Sequence, residues 1–133
     1  MRDVCDLLVI GGNTVRIDRP TLDARLVDGK APDILIFSRE KDFDTTIPLF
    51  NVPNRKVYIQ SDFSKLDEYK NIMIEGTSSM YELSQEYVDY FLCYIAPKFG
   101  GSDIINKNND EFEILNIQKE TQDIIIWMKK KVK

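Results

Sequence analysis

The feature that most constrains this chain is a series of short, unbroken apolar runs, each stopped by turn-forming residues. Leu7-Leu8-Val9-Ile10 stops at Gly11-Gly12, and Asn71-Ile72-Met73-Ile74 stops at Glu75-Gly76. Between them lie Asp33-Ile34-Leu35-Ile36-Phe37 and Lys56-Val57-Tyr58-Ile59-Gln60. Runs that are apolar throughout, rather than alternating, suit strands of a sheet covered on both faces.

The remainder of the chain changes character. Thr77-Ser78-Ser79 opens a helical stretch through Tyr81-Glu82-Leu83-Ser84-Gln85-Glu86. Any of the three hydroxyls can cap it, and Glu82 stands at capping-box spacing from Ser79. Tyr90 to Ala96 reads as a strand closed by Pro97. Glu111 to Gln118 alternates loosely, and Asp123 to Met128 is apolar again, which predicts an antiparallel hairpin. Asn106 to Asp110 reads as a polar loop. The expectation is a mixed, mainly parallel sheet with flanking helices, ending in an antiparallel C-terminal hairpin. At 133 residues the chain suits one domain, 1–133.

Composition narrows the function. Eighteen basic against twenty-two acidic residues leave a net charge of -4, which argues against nucleic acid as a partner. Lys129-Lys130-Lys131 with Lys133 is the one basic cluster, and it reads as a solvated tail. There is no His and no C-x-x-C, so no Cys/His metal site is expected. Cys5 and Cys93 read as two reduced, buried thiols. No apolar run reaches membrane-spanning length, and the expected setting is cytoplasmic.

Two strand ends carry glycine followed by hydroxyl side chains: Gly11-Gly12-Asn13-Thr14 and Glu75-Gly76-Thr77-Ser78-Ser79. Glycine permits close backbone approach, and a following helix start offers free N–H groups, so the pair suits a phosphate-bearing ligand. A simple strand–helix connection looks the same, and neither turn matches the six-residue dinucleotide fingerprint.

The stretch Gly12-Asn13-Thr14-Val15-Arg16-Ile17-Asp18-Arg19-Pro20-Thr21-Leu22-Asp23-Ala24-Arg25 is more distinctive. It resembles the pyrimidine reductase domain of riboflavin biosynthesis, whose pattern Gly-x-Thr-Val-x-x-Asp-x-Pro-x-Leu-x-x-Arg is matched at every specified position. The resemblance continues through Ile74-Glu75-Gly76, Val88-Asp89 and Ala96-Pro97-Lys98-Phe99-Gly100-Gly101.

That resemblance implies a dihydrofolate-reductase-like three-layer α/β/α fold and NADPH as cofactor. It implies reduction of 5-amino-6-(5-phosphoribosylamino)uracil, a phosphorylated aminopyrimidine, to the ribitylamino compound. Thr14 and Asp18 would contact NADPH, and Thr77, Ser78, Ser79, Met80, Tyr81, Glu82 and Leu83 would cradle its pyrophosphate. Leu22, Arg25 and Glu75 would contact substrate, with Arg25 gripping the phosphate through its planar guanidinium. No residue is assigned a catalytic proton transfer. A homodimer is also implied. Plainer accounts exist: Asp18 as a turn cap before Pro20, Arg25 paired with Asp23 or Asp28, and Glu75 as a solvated turn residue.

The chain departs from the family in two places. Thr77 replaces the second glycine of Glu-Gly-Gly, a strained choice if that position needs positive φ. The family also has a strand and helix ahead of Asp6-Leu7-Leu8-Val9, so the expectation is an N-terminally truncated reductase-like domain without the zinc deaminase domain. These departures motivate an alternative: a non-catalytic nucleotide-binding or interaction remnant of that reductase.

Overall fold

A computed structural model of the chain describes residues 5–22, 31–76, 78–95 and 111–131. It divides into two units, Met1–Gly76 and Thr77–Lys133.

In the first unit the four apolar runs become strands. They are β1 (Leu7–Gly11), β2 (Asp33–Phe37), β3 (Val57–Gln60) and β4 (Ile72–Ile74), with α1 (Gly12–Asp18) following β1 directly. The sheet order is β3-β2-β1-β4, and every pairing is parallel. Both faces of this sheet are covered, as unbroken apolar runs require. On one face Leu8, Ile10, Ile34 and Ile36 pack with Val15 of α1 and with Leu22, Ile47 and Leu49. On the other, Leu7, Val9 and Leu35 meet Leu66, flanked by Phe37, Tyr58, Phe63 and Tyr69. Each of these fully buried aliphatic side chains contributes roughly 1.5–3 kcal/mol.

The amino ends of these strands are tied together by polar groups. The Asp6 N–H donates to Asn71 O at 2.7 Å, its Oδ2 accepts from the Asn71 N–H at 3.1 Å, and its carbonyl accepts from the Asp33 N–H at 3.1 Å. Asp33 in turn accepts from the Lys56 amide at 3.0 Å and from the Tyr69 hydroxyl at 2.8 Å. Burial pushes the Tyr69 phenol far up, reinforced by its hydrogen bonds to Tyr58 and Asp33, so it stays a donor. This edge of the sheet is occupied by its own side chains.

In the second unit, α2 (Ser78–Ser84) runs into a 3₁₀ turn at Gln85–Tyr87 and then β5 (Tyr90–Ile95). The hairpin is β6 (Phe112–Glu120) with β7 (Asp123–Lys130), and the three strands form an antiparallel sheet in the order β5-β7-β6. The helix begins at Ser78, so Ser79 lies inside it rather than at its cap, and Thr77 lies outside the described residues. Parallel strands followed by an antiparallel hairpin is the expected order, here distributed over two sheets.

The lysine run is corrected. Lys129 and Lys130 belong to β7, where Lys129 pairs with Tyr90, the Lys130 amide donates to Asp89 O at 2.9 Å, and its Nζ donates to Gln85 O at 2.7 Å. The strand continues through them because its backbone is bonded on both sides, whatever the side-chain charge. Cys5 and Cys93 form no disulfide and are half-buried rather than buried, and burial raises the Cys5 pKa. No helix among the described residues is long and apolar enough to cross a membrane. The Asn106 to Asp110 loop lies outside the described residues.

Candidate functional site

β1 and β4 are parallel neighbours, with Leu7 opposite Ile72 and Val9 opposite Ile74. Their carboxyl ends therefore lie side by side, and the Glu75 amide donates to Val9 O at 2.9 Å, which brings Glu75-Gly76 beside Ile10-Gly11. Open parallel sheets collect ligands at this edge. The two glycine turns picked out in the sequence thus meet at one place.

Gly12 has a packing role. It is buried, and a Cβ there would sit 2.8 Å from both Cβ and Oγ of Ser38, just past β2. The glycine allows α1 to start close against the neighbouring strand end. Gly11, at φ −73° and ψ 146°, is in ordinary extended backbone.

Val15 anchors α1 in the core, which turns Asn13, Thr14, Ile17 and Asp18 to solvent. Thr14 and Asp18 share this face at one-turn spacing and make no hydrogen bond or ion pair among the described residues. Asp18 does not cap its helix: the Arg19 N–H closes the end on Val15 O, with Arg19 in the left-handed region at φ 46°. The far end of α1 is held by arginines. Arg19 reaches Asp44 Oδ2 at 3.0 Å and Thr46 Oγ1 at 2.9 Å, and the Arg16 guanidinium lies 4.0 Å from the Phe43 ring centre.

Leu22 was expected at the substrate, but its side chain is buried at 4% exposure in the core with Val15, Leu49 and Ile47, at φ 57°. Its carbonyl is also engaged, accepting from Arg55, which holds Thr21 O as well at 2.7 Å. Glu75 is half-buried at the end of β4. On α2, Met80 and Tyr81 face inward, with the Tyr81 ring edge-on to Phe91 at 5.6 Å, so they could meet a ligand only through backbone. Glu82 and Leu83 are exposed. Arg25 and Thr77 lie outside the described residues, as do the side chains of Ser78 and Ser79.

One residue was missed. Arg39 follows Ser38 at the carboxyl end of β2, exposed and without a hydrogen bond or ion pair among the described residues. Its signal was available: a cation directly after an apolar run, at the edge that already held the glycine turns. A guanidinium and a threonine hydroxyl can donate to phosphate oxygens, and the Asp18 carboxylate can accept from a ribose hydroxyl.

The chain matches no family model and no curated protein. Solved structures do share its fold. RibD of Acinetobacter baumannii aligns with a TM-score of 0.79 at 19% identity, over 98% of this chain and 48% of its own. The diaminohydroxyphosphoribosylaminopyrimidine deaminase/5-amino-6-(5-phosphoribosylamino)uracil reductase of Thermotoga maritima aligns at 0.71 and 16%, over 98% and 46%. A dihydrofolate reductase from Enterococcus faecalis, complexed with NADP(H), aligns at 0.60 and 12%, over 93% and 73%. The chain thus has the pyrimidine-reductase-like, dihydrofolate-reductase-like fold, and it spans about half the length of the first two proteins.

Proposed function

We propose that this chain binds NADPH at the carboxyl edge of the β1–β4 sheet and uses it to reduce 5-amino-6-(5-phosphoribosylamino)uracil. The observation that supports the reading is the pairing of β1 with β4, which brings Gly11 and Glu75-Gly76 to one edge, with α1, the helix of Thr14 and Asp18, following β1 directly and Arg39 following β2. Likeness of fold to the Thermotoga maritima reductase supports the substrate, and likeness to the NADP(H)-complexed dihydrofolate reductase supports the cofactor.

Bound NADPH supplies the hydride. The chain's own work is to bind and orient: Arg39 and Thr14 hold phosphate, Asp18 holds ribose, and Glu75 meets the substrate, with Arg25 on its phosphate as the motif implies. Hydride transfer draws on such positioning more than on a strong acid or base, so a chain without histidine can perform it. Leu22 is excluded as a substrate contact in this reading because its side chain is committed to the core.

The test is NADPH oxidation with the aminopyrimidine, alongside a fluorescence titration of NADPH. Asp18→Asn and Arg39→Ala should each weaken NADPH by on the order of tenfold, the worth of one charge-assisted hydrogen bond. Absence of NADPH binding by the parent chain sinks the proposal. Binding without turnover selects the second reading, a nucleotide-binding remnant, which the replacement of the second glycine of Glu-Gly-Gly by Thr77 motivates.

A further inference from the structure

α1 is tied to one neighbouring segment along its whole length, and the ties fall on one side of the helix. Gly12, Arg16 and Arg19 follow one another at four- and three-residue spacing, which aligns them on a single face. Gly12 lies against Ser38, so close that a Cβ would sit 2.8 Å from its Cβ and Oγ. One turn on, Arg16 Nη2 donates to Asp42 O at 3.3 Å and stands 3.6 Å from a Glu40 carboxylate oxygen, with the guanidinium over the Phe43 ring. At the helix end Arg19 holds Asp44 and Thr46. The segment after β2 therefore runs beside α1 from Ser38 to Thr46, in step with it. Arg16 and Arg19 fall at unspecified positions of the Gly-x-Thr-Val-x-x-Asp-x-Pro pattern, so the family resemblance assigns them no role.

The same segment carries Arg39, whose neighbours are fixed on both sides. The Ser38 N–H donates to Gln60 O at 2.9 Å, and Ser38 Oγ donates to Glu40 O at 2.7 Å, which closes a tight turn around Arg39. Beyond that turn Phe43 packs against the core beside Phe50, their ring centres 6.3 Å apart.

The ties to α1 are unequal. Glu40 is 83% exposed, and an ion pair so open to water contributes little. The Phe43 ring and the Asp42 carbonyl together call for a flat guanidinium with several donors, which an ammonium does not supply. Asp44 already accepts from the amide and hydroxyl of Thr46, so that turn keeps its shape without Arg19. Most of the attachment therefore falls to Arg16.

We infer that Arg16 is a positioning residue for the cofactor: by clamping the 38–46 segment to α1, it holds Arg39 at a fixed offset from Thr14 and Asp18, which occupy the other side of the same helix. The role rests on the NADPH reading above. A guanidinium already placed relative to the hydroxyl and the carboxylate meets phosphate without first being ordered, and that ordering is a cost flexible sites carry. Arg16 acts through the segment it clamps and need not touch the cofactor.

The test combines NMR of the ligand-free full chain with NADPH titration by fluorescence. Arg16→Met keeps an apolar stem on Phe43 and removes the guanidinium, and Arg16→Lys keeps only the charge. Amide relaxation over residues 39–44 should give order parameters near about 0.85 in the parent and below about 0.6 in Arg16→Met, with β1 unchanged. Arg16→Met and Arg16→Lys should each weaken NADPH roughly tenfold. In an Arg39→Ala background Arg16→Met should add less than about twofold, because the group it places is gone. Additive losses in that double variant overturn the inference, as does full rescue by lysine, since either outcome means a cation acting on the phosphate directly. Order parameters that stay put overturn it too, as does an Arg16→Met protein of lower Tm but parental affinity. A parent that does not bind NADPH ends the cofactor reading and this role together, whereas a parent that binds while the double variant is additive removes the role alone.

Discussion

Replacing Gly12 by alanine tests whether that glycine exists for packing. An ideal Cβ at Gly12 lies 2.8 Å from Ser38 Cβ and Oγ and 3.3 Å from Arg16 Nη1. Non-bonded carbons are best at about 3.5–4.0 Å, so the overlap with Ser38 Cβ is close to a full ångström. Ser38 cannot step aside easily. Its N–H donates to Gln60 O at 2.9 Å and its Oγ to Glu40 O at 2.7 Å, so the strand end or the helix must move. Overpacking of this kind costs about 1–3 kcal/mol, offset by at most about 1 kcal/mol from alanine's better helix propensity. Gly12→Ala should therefore lose about 1–2 kcal/mol in urea unfolding. Ser38→Gly alone should lose about 1 kcal/mol with its hydrogen bond. The double variant should be more stable than the sum of the two losses by about 1 kcal/mol, because the second change removes the obstacle. Additivity within about 0.5 kcal/mol would refute the packing argument, as would a Gly12→Ala protein as stable as the parent.

Two further outcomes separate core from site. Leu22→Ala should cost about 2–4 kcal/mol by thermal or urea unfolding, because it empties a core position; an unchanged midpoint would return Leu22 to the substrate. Asp44 should titrate at about 2, held down first by the Thr46 hydroxyl at 2.6 Å and amide at 2.9 Å, then by Arg19. A folded-state value below the unfolded one means its contribution is complete above about pH 4 and is lost as pH falls through about 2. Thr46→Ala should move the carboxylate's NMR midpoint upward, and a midpoint that stays put would show that Thr46 is not the cause.

Sequence alone sufficed for the seven strands among the described residues and for α2, since a strand's signature is local. An unbroken run such as Ile34-Leu35-Ile36 needs cover on both faces wherever it lies. It also located the two glycine turns that meet at the β1–β4 edge. The tertiary structure alone decided what those residues touch. Gly12 is explained by Ser38, Leu22 by a core it shares with Leu49, and Lys130 by the carbonyl of Gln85. Each partner is distant in the chain and becomes a neighbour only through strand pairing. Local pattern fixes which way a side chain must face, but its neighbours are set by register and strand order.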